Sequence, residues 1–347
     1  MQKTIFVVDD NDTNLAMARD ALKDQYRIMT MPSAAKMFSL LEKITPDLIL
    51  MDIEMPEING FEALRRLKTK ALHANIPVIF LTNMTDASFE VRGFQLGVVD
   101  FITKPFSALV LANRIKTHLQ IDEIIRERTT QIKRLKNAIV YCFADIVEKR
   151  DCETGGHIAR TSNFIEILVN AMIAHGVHAE QLANMDLESL VSSARLHDVG
   201  KIAIPDNILN KPDKLSVEEF EIMKTHVAEG VEIINQMASR ADDDVFLQNA
   251  RLFAGYHHER WDGTGYPYGL AGTDIPLQGR IMAIVDVYDA LVSERPYKKA
   301  FPVDKAIAII MENAGTQFDP YIADVFFEIK DKFCVVNQNY QGEAEAK

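Results

Sequence analysis

The chain is poor in the residues that define several classes of protein. Its three cysteines, Cys142, Cys152 and Cys334, are too few and too scattered for a disulfide framework or a thiolate zinc knuckle, which fits a reducing cytosol. No apolar run approaches the roughly 20 residues of a membrane helix, and no basic and apolar leader precedes the first β-like segment, so a cytoplasmic protein with no membrane partner is expected. Basic residues are outnumbered: 38 Lys and Arg face 50 Asp and Glu, a formal net charge of −12. That balance argues against a polyanion-binding surface, and no basic recognition helix is visible, so no DNA partner is expected and a transcription factor is a weak reading. A small anionic ligand held by metals and a few cations stays compatible with it.

What is present suffices for two domains, since 347 residues with 48% hydrophobic and 25% charged residues describe an ordinary globular composition. Residues 1–119 hold five β-like runs, at 4–8, 26–30, 48–51, 78–81 and 99–102. They alternate with helical patterns such as Asn14 to Leu22 and Gly60 to Lys68. This alternation predicts a parallel, helix-covered sheet that binds ligands beyond the carboxyl ends of its strands. Asp9, Asp10, Asp52, Thr82 and Lys104 fall at those ends.

Three carboxylates repel one another unless a cation intervenes, so Asp9, Asp10 and Asp52 read as a Mg2+ pocket in which Asp52 is a nucleophile toward phosphorus. Lys104 then neutralises the phosphoryl group, and Thr82 hydrogen-bonds to it and pulls its loop. The alternative is that the carboxylates only cap the following helices. Through Val-Val-Asp9-Asp10, Leu-Met-Asp52-Ile-Glu-Met-Pro-Glu-Ile-Asn-Gly60, Thr82 and Thr-Lys104-Pro105-Phe106, the segment resembles the receiver domain of two-component response regulators. The resemblance implies a flavodoxin-like α/β fold and magnesium-dependent phosphorylation of Asp52 by a histidine kinase. It also implies that Phe101 follows Thr82 between two rotamers. Asn83 stands where the family usually has a smaller residue, which bears on the lifetime of the phosphoryl group.

Residues 120–146 read as a helical linker. Ile121, Ile125, Arg128, Ile132, Leu135, Ile139, Cys142 and Ile146 step by alternating four and three, a heptad seam interrupted by Arg128. It predicts a homodimer through residues 121–146, with packing on its own domain as the alternative. Either arrangement transmits a rearrangement of the first domain.

Residues 147–340, ahead of a polar tail at 341–347, read as all-helical. Glu153 and His157 are four apart and can share a helix face, although glycines intervene. Adjacent His197 and Asp198 diverge by about 100° on a helix, so both serve one site only if Asp198 bridges two metals. Lys201 faces the same way as His197 and can balance phosphate or leaving-group charge. His226 lies in a helical stretch from Val217 to Met237, where alone it would read as a core histidine. His257 and His258 precede a loop with the single tryptophan, Trp261, and by themselves would suit a surface turn. Asp286 sits in an apolar helix and requires a metal or an arginine, Arg280 or Arg295. His73, His118, His175 and His178 read as surface residues, and Asp262 as a turn stabiliser.

These candidates exceed what one ion needs, so two or three divalent transition metals are expected, and mixed imidazole and carboxylate donors suit iron, manganese or zinc. Bridged metals would activate a water for in-line attack on a phosphate ester. His197-Asp198 together with His257-His258-Glu-Arg-Trp-Asp262-Gly-Thr-Gly265-Tyr266-Pro267 resembles the HD-GYP subfamily of the HD phosphohydrolases. The resemblance implies an HD-type helical domain that hydrolyses cyclic di-GMP to pGpG and often on to GMP. Its trinuclear form matches Glu153, His157, His197, Asp198, His226, His257, His258 and Asp286 as ligands. Its substrate positions match Asp151, Lys201, Tyr266, Arg295 and Lys298, with a solvated loop as the alternative for the last two; Asp198 and Lys201 carry the catalytic expectation. The competing readings are a signalling adaptor that binds a dinucleotide or a partner such as a diguanylate cyclase without useful catalysis, and a phosphodiesterase that prefers cyclic GMP-AMP.

Overall fold

A computed structural model describes residues 2–70, 72–83, 87–151, 156–241, 244–294 and 300–345. The chain forms two compact units, Met1–Ile132 and Lys133–Lys347. In the first, β1 (Thr4–Val8), α1 (Asp12–Leu22), β2 (Arg27–Met31), α2 (Ala34–Leu41), β3 (Leu48–Asp52), α3 (Gly60–Thr69), β4 (Val78–Thr82), α4 (Ala87–Gln95) and β5 (Asp100–Thr103) alternate as expected, with strand limits shifted by about one residue. The sheet is wholly parallel, in the order β2-β1-β3-β4-β5.

Period-two alternation sorts each apolar strand between two cores. Phe6 and Val8 face one with Ile49, Met51 and Phe80, while Ile5 and Val7 face the other with Leu48, Leu50 and Leu81. Buried on both faces, such strands read as continuous hydrophobic runs. Their carboxyl ends deliver Asp9, Asp52 and Thr82 to one edge. Helix α3 can start beneath β3 only because residue 60 is glycine: a Cβ there would lie 2.5 Å from the Asp52 carbonyl oxygen. The Asn59 side chain caps it by accepting from Glu62 N.

The helix read as a linker over 120–146 is longer at both ends. As α5 it spans Ala108–Arg150 without interruption, and the compact units divide within it. Ile121, Ile125, Ile132, Leu135, Ile139 and Ile146 are exposed, whereas Val140, Ala144 and Val147 are buried. The heptad seam and the packed stripe are therefore different faces of one helix.

The second unit continues with α6 (His157–Ala174), α7 (Ala179–Ala183), α8 (Leu187–Ser193), 3₁₀ turns at Ala194–Leu196 and Val199–Ala203, and α9 (Asp206–Leu209). Then follow α10 (Val217–Lys224), α11 (His226–Ala238), α12 (Val245–Tyr256), α13 (Leu277–Val292), α14 (Val303–Glu312), α15 (Pro320–Glu328) and α16 (Lys330–Glu345). Among the described residues it holds only isolated β-bridges, no strand. Its core lies around α6 and α13, where Phe164 stacks on Phe333 at 4.6 Å and Tyr288 meets both rings edge-on at 5.3 Å.

Several expectations need correction. The stretch from Val217 to Met237 is two helices broken at Thr225; a Ser216–Glu219 capping box starts the first, and His226 is the first residue of the second. Helix α16 runs on to Glu345, through most of the stretch read as a polar tail. His175 is exposed, but His73 is buried, and His118 and His178 are half-buried beside Asp100 and Asp319. The carboxylates beside His118 and His178 come from distant parts of the sequence, so local polarity misreads these two.

The turn at Val199–Ala203 crosses α11 at Gly200, where a Cβ would lie 1.9 Å from the His226 carbonyl oxygen and 2.4 Å from Gly230 N. Gly200→Ala is expected to destabilise the helical unit by roughly 1–3 kcal/mol through overpacking. A urea denaturation midpoint equal to that of the unmodified protein would contradict this.

Candidate metal centre

The histidines of the helical unit stand at the ends of elements, where side chains project past the backbone. His157 opens α6, His197 closes the turn at Ala194–Leu196, His226 opens α11, and His257 and His258 follow α12. Four of them use Nδ1 outside the cluster. His197 Nδ1 lies 2.9 Å from the Ala194 carbonyl, His226 Nδ1 2.7 Å from that of Met223, and His257 Nδ1 3.0 Å from that of Phe253. His157 Nδ1 lies 2.8 Å from Asp289 Oδ2. An Nδ1 engaged with an acceptor carries the proton, which leaves Nε2 as a lone-pair donor directed into the cluster.

Those Nε2 atoms gather on Asp198. Ligand atoms of Asp198, His226, His257 and His258 lie within 4.8 Å of one another, as do those of His157, His197 and Asp198. Asp198 belongs to both groups. His226 and His257 place Nε2 at 3.4 and 3.5 Å from its Oδ1, and His197 Nε2 is 3.4 Å from its Oδ2, beyond good hydrogen-bond length. Asp198 Oδ1 and His197 Nε2 are buried without hydrogen-bond partners. Orphaned lone pairs converging at these separations fit divalent cations, and Asp198 fits a bridge between two of them.

Asp286 Oδ1 lies 3.7 Å from His157 Nε2, on the side of the second group. Arg280, one of its two candidate arginine partners, instead grips buried Asp319 at 2.7 Å. Glu153 lies outside the described residues, as do Arg295 and Lys298.

The electrostatics suit metal ligation. Burial first, then the charge of His257 and His226, pushes the His258 pKa well below its usual value, and burial pushes that of His226 down to about 4. Both rings are neutral donors near pH 7. Burial opposes ionisation of Asp198, yet Lys201 and His197 hold its pKa below the ordinary carboxylate value.

Sequence reasoning missed Asp289 and Glu148. Asp289 is buried between His157 and Arg160, whose Nε and Nη2 donate to it at 2.6 and 2.9 Å. Burial works against its charge, but His157 and Arg160 hold its pKa down to about 2. The available signal was a second carboxylate one turn after Asp286 in an apolar helix. Glu148, near the end of α5, accepts from His157 N at 2.9 Å and Ile158 N at 3.3 Å. It caps α6, whose own N-cap residue is Gly156 with φ 101°.

A cavity of about 420 Å³ opens beside the cluster, lined by Asp198, His226, His258 and Asp286 together with Asp151, Lys201 and Tyr266. Lys201 Nζ is 2.5 Å from Asp151 Oδ2 and 2.8 Å from Asp198 Oδ2. The turn that carries it is 3₁₀ rather than α-helical, so Lys201 faces Asp198, not His197. Tyr266 stacks on His258 with centroids 4.7 Å apart, and burial raises its pKa, keeping the phenol protonated. Lys211, Lys214, Phe220 and Met223 also line the cavity; their segment has no motif that marks it.

Buried Glu259 accepts from Tyr268 N at 2.8 Å and Leu270 N at 3.1 Å, pinning the loop that presents Tyr266. Gly265 packs where a Cβ would lie 2.3 Å from Arg260 N. Asp262 Oδ1 accepts from Thr264 N at 3.0 Å and its Oγ1 at 2.6 Å, the turn-stabilising geometry expected for it.

In the first unit, oxygens of Asp9, Asp10 and Asp52 lie within 4.8 Å of one another. Lys104 Nζ is 2.7 Å from Asp9 Oδ2 and 2.8 Å from Asp52 Oδ2. Burial raises the Asp52 pKa, while Lys104 counters it. Thr82 ends β4, and Phe101 is turned inward against Phe80 and Phe94, with centroids 5.7 and 5.1 Å away.

Fold and clusters together define a response regulator: a receiver followed by a helical, metal-binding output domain. The response regulator receiver domain model matches residues 5–116 and the HD domain model residues 142–322, and the chain belongs to the HD-domain family. It is 36% identical to a probable cyclic di-GMP phosphodiesterase of Vibrio cholerae, over 99% of this chain and 82% of that one. It is 35% identical to the cyclic di-GMP phosphodiesterase response regulator RpfG of Xanthomonas campestris, over 92% and 86% respectively. A 3'3'-cGAMP-specific phosphodiesterase of V. cholerae is 39% identical over 59% of this chain and 37% of its own length.

Asp289→Asn removes the anionic partner that orients His157. Manganese titration of chelator-stripped protein is expected to show affinity weakened by about 10–100-fold. Unaltered affinity would mean that Asp289 serves folding alone.

Proposed function

We propose that the protein is a cytoplasmic response regulator whose helical domain hydrolyses cyclic di-GMP to pGpG, under control of phosphorylation of Asp52 by a histidine kinase. The observation that carries this reading is Asp198, shared by two groups of imidazoles on the wall of a cavity that also presents Lys201 and Tyr266. Relatives named for cyclic di-GMP hydrolysis that align over nearly the whole chain support the substrate. No described helix is long and apolar enough to cross a membrane.

Asp198, His226, His257 and His258 would hold one cation, and His157, His197, Asp198 and Asp286 a second. Glu153 would complete a third position. Iron or manganese suits such imidazole and carboxylate donors. Bound divalent ions supply the polarisation that makes water a nucleophile near neutral pH and neutralise charge on the phosphoryl oxygens.

The chain's own groups do the rest. Lys201 balances developing negative charge at the phosphate, and Asp151 orients its ammonium. Tyr266, a protonated phenol fixed against His258, donates to a phosphoryl oxygen or stacks on a base. Arg295 and Lys298 would contact a phosphate or a guanine. In the receiver, Asp9, Asp10 and Asp52 would hold Mg2+, Lys104 and Thr82 would grip the phosphoryl group, and Phe101 would follow Thr82. The exposed seam over residues 121–146 supports a homodimer, and a diguanylate cyclase is a fitting partner.

The cGAMP-specific relative gives the second reading, a preference for cyclic GMP-AMP. Protein purified anaerobically, with its metal quantified, separates these readings when offered cyclic di-GMP, cyclic GMP-AMP and pGpG, with products resolved by chromatography. Cyclic di-GMP is expected to turn over fastest, chelation to abolish turnover, and His257→Ala to lower kcat on the order of 100-fold or more. Protein that retains two or more ions yet leaves every substrate intact is an adaptor. Beryllium trifluoride is expected to shift turnover or association state in the unmodified protein but not in Asp52→Asn; no shift in either would dismiss regulation through Asp52.

A further inference from the structure

Arg150 is the last residue of α5, and its side chain is devoted to one short segment. Its Nη1 donates to the carbonyls of Lys201 at 3.1 Å and Ile202 at 2.5 Å, and its Nη2 to that of Ile204 at 2.8 Å. Nη2 also lies 2.9 Å from Asp206 Oδ1. Asn210 Nδ2 donates to the carbonyl of Arg150 itself at 3.1 Å. The three carbonyls belong to the turn at Val199–Ala203 and its capping residue, where a 3₁₀ run leaves its last oxygens poorly satisfied. A planar guanidinium with its donors in a fixed fork can serve all three together, which an ammonium cannot.

The next residue holds the other end of the same lysine. Asp151 Oδ2 lies 2.5 Å from Lys201 Nζ, which is itself 2.8 Å from Asp198 Oδ2. The backbone and the ammonium of Lys201 are thus gripped by two adjacent residues at the end of one helix. The pairing of Arg150 with Asp206, whose side chain is 74% exposed, would by itself contribute little. Charge-assisted bonds to the carbonyls of a half-buried turn are a stronger constraint.

We infer that Arg150 is a positioning residue: it sets the 3₁₀ turn so that Lys201 reaches the cavity beside Asp198. The inference rests on the phosphodiesterase reading of that site. Arg150 need touch no substrate, since it acts through Lys201. A residue that only stabilised the unit would affect turnover whether or not Lys201 were present.

The test is a double-mutant cycle on the full chain loaded with Mn2+, using Arg150→Lys and Lys201→Met. Initial rates on cyclic di-GMP are measured beside melting temperature and bound Mn2+. Arg150→Lys is expected to lower kcat about tenfold with KM held within about twofold, and to change the residual rate of Lys201→Met by less than about twofold. An equal loss in both backgrounds, or no loss in either, overturns the inference. An unmodified protein that hydrolyses nothing defeats the phosphodiesterase reading instead. If Arg150→Lys loses its fold or its Mn2+, Arg150→Gln serves, since its amide can still donate to one of the three carbonyls but cannot hold them together. It is expected to lower kcat by about tenfold or more, again only where Lys201 is present. An equal effect in the two backgrounds, or none, counts against the inference.

Discussion

The helical unit depends on one carboxylate having imidazole nitrogens on both sides. Asp198 can hold that position only because the surrounding rings are turned to offer Nε2, and they are turned by what their other nitrogens meet. Three of the acceptors are main-chain carbonyls at the ends of helices or turns, the groups that helix geometry leaves unsatisfied. Ring orientation is thus a by-product of ending helices near one point. The fourth ring, that of His157, is held by Asp289, which Arg160 grips in turn.

Much of this was legible in the sequence for identifiable reasons. The parallel sheet follows from buried apolar strands alternating with amphipathic helices, and strand-end residues such as Asp9, Asp52 and Lys104 lie at the carboxyl edge of such a sheet. In the helical unit the motif residues His197, Asp198, His257 and His258 could be named, but their mutual arrangement depends on breaks that periodicity does not display. Thr225 interrupts what reads as one helix, and that break is what brings His226 to a helix start beside His257. Asp289 was hidden because a carboxylate one turn from Asp286 looks like a duplicate of the same signal. Glu259 was hidden because its partners are backbone amides, which every sequence has. The pocket wall at Lys211, Lys214, Phe220 and Met223 is assembled from a segment with no periodic or motif signature.

Helix α5 shows the opposite limit. Its heptad pattern was visible, but the pattern could not say which residues pack within the chain. Val140, Ala144 and Val147 do so, beside a seam that stays exposed, so one helix carries two apolar stripes. Sequence periodicity reports the sum of the two. Only the fold separates the stripe that holds the helical unit together from the one that remains open to a second chain.

Glu148 adds a thermodynamic property to this arrangement. It caps α6 at the residue whose ring faces the cluster, so the end of one helix, the start of the next and a ligand-bearing side chain form a single cooperative joint. Occupancy of the cluster and integrity of that joint are then linked: whatever binds His157 resists fraying of α5, and fraying of α5 releases His157. An ion held by His157 would thereby stiffen the end of the helix that leads into the domain and act as a clasp on that joint.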